Sequence, residues 1–188
     1  MTNTDGAPST ESLRAILKSQ YHASLAMLRE AIDRCPDDLW TSTEHLNPSW
    51  EVAYHVLFFA HVYSSRDEAS FRPWEHHQAD VQYPDGIPGP ADPKSTLPLV
   101  ATPYTKSEVL AYWTWCDGWI DAAIDAMDLA SPQSGFSNYP IPKLEHQLVN
   151  IRHIQHHTAQ LAARLRTTAN IGIDWVGARR AKTTGGPG

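Results

Sequence analysis

Cysteine is almost absent from this chain: only Cys35 and Cys116 occur in 188 residues. Two such residues set up no disulfide framework and read as reduced thiols of a cytoplasmic protein. Long hydrophobic runs are also missing. No uncharged apolar stretch approaches the ~20 residues that a bilayer-spanning helix needs, so no membrane partner is expected. The opening MTNTDGAPSTES lacks the basic and apolar regions of a secretory signal. Basic residues are outnumbered, 15 Lys and Arg against 21 Asp and Glu, for a net charge of −6. That balance argues against a general nucleic-acid binder, which presents a basic face. There is no internal repeat and no composition shift of the kind that marks a second domain. Residues 1–188 therefore read as one domain, with its core over about 10–167 and flexible ends. At 41% hydrophobic, the chain carries enough apolar residues to build a sizeable core.

What is present is a series of helical patterns. Leu13, Leu17, Tyr21, Leu25, Leu28 and Ile32 recur at three- and four-residue spacing, which predicts an amphipathic first helix starting near Ser9 or Thr10 and ending before Pro36. A second helix is expected from about Pro48 to Ser70, capped by Asn47. It is apolar over most of its circumference, which marks a central element. Residues 71–104 break the pattern with seven prolines. They read as an ordered excursion over one end of the molecule, with Trp74, His76, His77, Tyr83 and Ile87 to pack with. Thr105 and Glu108 fit a capping box, so a third helix runs from there to about Asp128. Its aromatic-rich face (Tyr112, Trp113, Trp119) reads as core or subunit interface, and Asp117 and Asp121 as a solvated face. A fourth helix covers 143–166, with Leu144, Leu148, Ile151 and Ile154 toward the core. In the tail after it, Trp175 reads as the one anchor.

The fourth helix holds four of the ten histidines: His146, His153, His156 and His157. His153 and His157 are four apart, which puts both imidazoles on one helix face, a turn apart. Such a pair can grip one divalent ion but needs a third ligand. His55, inside the apolar run of the second helix, is the best candidate. A lone buried histidine reads first as a core residue satisfied by a hydrogen bond; the His153/His157 pair turns the reading toward a ligand. Asn150 and Gln160 are candidates to orient the imidazoles. His146 lies two turns from His153, about 10 Å along the axis, and would line a pocket mouth. His22, His45 and His61 are read as non-ligands, and His76 and His77 as solvated loop residues.

Three pieces together resemble the DinB-like superfamily: Asn47-Pro48-Ser49-Trp50-Glu51 leading to His55, Tyr104-Thr105-Lys106-Ser107-Glu108 before the third helix, and His153-Ile154-Gln155-His156-His157-Thr158-Ala159-Gln160 in the fourth. The resemblance implies an all-α four-helix bundle with a long crossover connection, often a homodimer. It also implies a metal held by His55, His153 and His157. Zinc or nickel suits such a set and leaves a coordination position open. Some relatives are thiol-dependent S-transferases or isomerases that use a low-molecular-weight thiol. The first expectation is thus a metal-dependent enzyme activating a small thiol, with Arg164 available to a carboxylate. Metal-assisted hydrolysis, with Glu51 as the acid/base to test, is one alternative. A dimeric helical protein with a structural metal is another.

Overall fold

A computed structural model describes residues 6, 8–79, 81–83 and 102–179. Among the described residues the chain is all helical, without strands. The helices are α1 (Thr10–Asp33), the single turn α2 (Asp37–Trp40), α3 (Ser49–Ser64), α4 (Lys106–Ala126) and α5 (Lys143–Ala169). None is long and apolar enough to cross a membrane.

The ends of these helices follow local chemistry. Ser9 caps α1 by accepting from the Ser12 N–H, and Thr105 and Glu108 form the reciprocal box at the start of α4. Asn170 closes α5 in the left-handed conformation at φ 54°, a geometry that Asn tolerates. Two expectations need correction. Asn47 does not cap α3: Pro48, in extended conformation, holds that position without a side-chain bond. The Asn47 carbonyl instead accepts from Arg164. The second predicted helix also ends at Ser64, not Ser70. There the Ser64 and Ser65 hydroxyls both donate to the His61 carbonyl, Ser65 turns extended, and only a 3-10 turn follows at Glu68–Ser70. The turn α2 lies inside a stretch that reads as a plain connection. It is held by burial of Leu39 and Trp40 and by the Trp40 indole N–H donating to the Tyr104 carbonyl.

The long helices share their main contacts in a square. α1 packs on α4 and α5, and α3 packs on the same two. Consecutive long helices, α1 with α3 and α4 with α5, therefore sit opposite each other. The connection between α3 and α4, where a long crossover is expected, lies partly outside the described residues (80 and 84–101, Ile87 included). The part that is described is ordered: Trp74 is buried and stacks on Tyr112 with ring centroids 4.6 Å apart. His77 is hydrogen-bonded to the Tyr54 hydroxyl at 2.7 Å, so it is not the solvated histidine that its loop position suggests.

The core forms around α3, whose circumference is almost wholly buried. The predicted stripe of α1 also packs inward. In α5, Ile154 is in the core and Leu144 and Ile151 pack against it as expected, but one member of the expected face is not inward. Leu148 is 52% exposed, and the interior face carries His146, Gln147, Asn150, Ile154, His157, Thr158, Leu161 and Leu165. The polar members of this face fasten α5 to its neighbours. The Gln147 and Asn150 amides donate to the Tyr63 and Ala60 carbonyls of α3, and the Tyr21 hydroxyl of α1 donates to Gln147. The tail also differs: Trp175 is 77% exposed, and Ile171 and Ile173 pack on the core in its place. Backbone groups at Asp174, Gly177 and Arg179 bond along α1. The expected flexible end, residues 181–188, lies outside the described residues.

Candidate metal centre

The α3–α5 contact brings His55 of α3 together with His153 and His157 of α5. One ring nitrogen from each lies within 4.8 Å of the others. His55 and His157 are buried and His153 is partly buried. Among the described residues these three are the one group of His, Cys, Asp or Glu so placed to hold a metal. A tetrahedral ion with nitrogen donors at ~2.0–2.1 Å holds them roughly 3.3 Å apart, so small side-chain adjustments suffice.

The surroundings prepare the rings as ligands. His55 Nδ1 donates to the Gln82 carbonyl at 2.7 Å, and His157 Nδ1 donates to the Gln160 side-chain oxygen at 2.8 Å. Each bond puts the proton on Nδ1 and leaves Nε2 as a bare donor. His55 Nε2 stands 3.0 Å from His153 Nε2. With His55 Nε2 bare, the proton between them belongs to His153. His153 Nδ1 is enclosed and has no hydrogen-bond partner. The shared proton is the one a metal must displace. Burial disfavours the cationic form of all three rings. It lowers the pKa of His55 to about 4, with His157 adding to the effect against the Gln82 bond. That of His153 falls to about 2, with its histidine neighbours contributing. That of His157 is also lowered, against the opposing bond from Gln160. At neutral pH the three are uncharged imidazoles, the form that binds metal.

The other sequence candidates sort clearly. Gln160 orients His157, as its spacing suggests, whereas Asn150 serves the backbone of α3. His156 is exposed beside His157, ring centroids 4.9 Å apart. His61 is buried at 3.1 Å from the Tyr112 hydroxyl and is no ligand. Arg164 is bound to the Asn47 carbonyl at 2.7 Å, so it is already engaged. Glu51 is buried one turn before His55. His146 does not line a pocket mouth: it is fully enclosed among Tyr63, Phe136 and Tyr139. Asp117 and Asp121 are not merely solvated, since they hold the two ring nitrogens of His22 at 2.7 and 2.9 Å. Gln82 is the functional residue that sequence reading misses. It acts through a backbone carbonyl, which any residue type provides.

Beside the cluster lies a cavity of about 520 Å³. Phe59 lines it and also packs on His55 and His153, with centroids 4.9 and 5.7 Å away. Gln82 belongs both to the cavity wall and to the His55 hydrogen bond.

The sequence matches no protein-family model, and it has no significant match among curated proteins or solved structures. The functional reading therefore stands on this geometry and on the motif resemblance.

Proposed function

We propose that this chain is a divalent-metal-dependent enzyme of the DinB-like superfamily, in which His55, His153 and His157 hold the ion. In this reading it activates a low-molecular-weight thiol for S-transfer or isomerisation. The observation that carries the reading is the convergence of three neutral imidazoles, two of them with their proton fixed on the far nitrogen. Zinc or nickel suits an all-imidazole set, and three protein ligands leave room for a further one. Bound there, the ion supplies Lewis acidity that lowers the pKa of a thiol or water it holds. The protein's own part is to keep the rings neutral, oriented and shielded.

A thiol is preferred over a hydrolytic water on the motif resemblance; hydrolysis calls for a group that moves protons beside the ion, and Glu51, buried one turn before His55, is the residue that alternative would use. A purely structural metal is the remaining reading. Three ligands rather than four among the described residues, and a cavity next to them, support catalysis over it. A homodimer is part of the proposal. Trp115 and Trp119, stacked at 5.5 Å and more than a third exposed on α4, suit a subunit contact.

The test is metal content of untagged protein, wild type beside His153→Ala. About one zinc or nickel per chain, lost in the variant, is expected. Thiol addition should then perturb the visible spectrum of the cobalt-substituted protein. Failure of the wild type to take up metal after incubation with zinc would overturn the metal centre. A cobalt spectrum indifferent to thiols would remove the thiol and leave the structural reading.

A further inference from the structure

The cavity beside the histidines has a chemical character of its own. Its walls come from three separate places: Phe59 and Tyr63 on α3, Phe71 and Tyr83 from the segment after α3, and Phe136 and Tyr139 from the loop before α5. These rings pack on one another. Phe59 meets Tyr63 at 5.3 Å and Tyr83 at 6.2 Å, and Tyr63 meets Phe136 at 5.6 Å and Tyr139 at 5.4 Å. A volume of about 520 Å³ falls within the range of small-molecule sites, ~300–1,000 Å³.

Charge narrows the occupant further. Among the described residues no Lys, Arg or His lines the cavity, and Glu68 is the one carboxylate there. Lys143 packs on the Phe136 ring, with Nζ 5.3 Å from its centroid, and is turned to the Arg66 and Ser134 carbonyls. A carboxylate, sulfonate or phosphate placed here would find no counter-charge among the described residues and would face a like charge at Glu68. Ser137 and Asn138, both exposed, add uncharged polar groups at the rim.

We infer that this cavity binds the second substrate of the metal centre, and that this substrate is an uncharged molecule with a flat aromatic or comparably apolar body of one or two rings. Its role as substrate rests on the metal-enzyme reading above; its binding does not. By the same charge argument, small thiols that carry carboxylates are not the occupants of this cavity.

The test uses two naphthalene probes that differ in charge: neutral N-phenyl-1-naphthylamine and the anionic 1-anilinonaphthalene-8-sulfonate. Both are titrated by fluorescence against the full chain, metal-free and zinc-loaded. The neutral probe should bind saturably at one site in both forms, and the sulfonate at least ten-fold more weakly. Val62→Trp, which places an indole in the cavity, should weaken the neutral probe at least ten-fold. Asn138→Trp at the exposed rim should weaken it in the same sense without touching the core. No saturable binding, equal binding of the sulfonate, or indifference to both substitutions would each overturn the proposal. In cobalt-substituted protein the neutral probe should shift the visible bands, through Phe59 and Gln82. Cobalt bands that do not move while the cavity is filled would overturn its assignment to the metal centre. Should the chain bind no cobalt, the metal reading fails alone, and the two probes still decide the cavity.

Discussion

His146 is completely enclosed, and neither ring nitrogen has a hydrogen-bond partner. A buried donor left unpaired costs about 1–3 kcal/mol, whereas an apolar group of similar shape costs nothing of the kind. His146→Leu should therefore raise stability by roughly 1 kcal/mol in urea denaturation at pH 7; a loss of stability would mean that the imidazole makes bonds the packing hides. Its pH behaviour follows. Burial and nearby Lys143 lower its pKa to about 4, below the unfolded value. As pH falls from about 6.5 toward 4, the unfolded chain takes up a proton that the folded one refuses, and stability declines. The variant should lose part of that decline.

His22 has the opposite sign. The Asp117 hydrogen bond above all, with Asp121 assisting, raises its pKa against the effect of burial. The stabilisation is complete below the unfolded pKa and disappears as pH rises through the higher folded one. Wild type should exceed His22→Gln in stability at pH 6 by roughly 1 kcal/mol, the scale of a partly screened ion pair. The difference should shrink by pH 9. A difference independent of pH would show that His22 acts by packing alone.

At the scale of elements, the loop before α5 depends on one glycine. Gly135 has φ +85°, and a Cβ there would stand 2.9 Å from Asp67 Cβ and 3.1 Å from the Arg66 carbonyl oxygen. The close approach lets the Gly135 carbonyl accept from the Glu68 N–H, and it sets Phe136 and Tyr139 against the cavity. Gly135→Ala should cost about 2 kcal/mol or more in thermal or urea unfolding, and it should weaken binding in the cavity. Unchanged stability would mean that this loop can reseat at no cost.

Helix positions were legible in the sequence because apolar spacing and caps are local. The Ser9 cap, the Thr105–Glu108 box and the stripe from Leu17 to Ile32 all stand as read. The face of α5 was legible in part. Ile154 lies in the core and Leu144 and Ile151 pack against it as expected, but Gln147 and Asn150 displace Leu148 because α3 offers backbone carbonyls to their amides. Spacing within one helix carries no information about acceptors on another. The histidine cluster was legible for a related reason: His153 and His157 share a face by spacing alone, and an imidazole inside the apolar α3 needs a partner. Gln82, reached through its carbonyl, left no trace in residue type.

For the whole molecule, the bundle has its own core apart from the histidines, built on α3 and the inward faces of α1 and α4. Chelator-treated protein should keep its helical circular dichroism and unfold cooperatively. Zinc at 100 times its dissociation constant should then add about 2.7 kcal/mol by mass action, or roughly 5–10 °C in Tm for a chain of this size. An unfolded chelated protein would make the metal obligatory for folding and favour the structural reading.

The square packing also has a consequence for synthesis. α1 and α3 leave the ribosome first, yet each finds its principal partners only in α4 and α5. Until residues 106–169 have been made, two long apolar surfaces wait without a docking face, at elongation rates of ~5–20 residues per second. The nascent chain thus exposes apolar surface over that interval, and slow codons between α3 and α4 would lengthen the exposure.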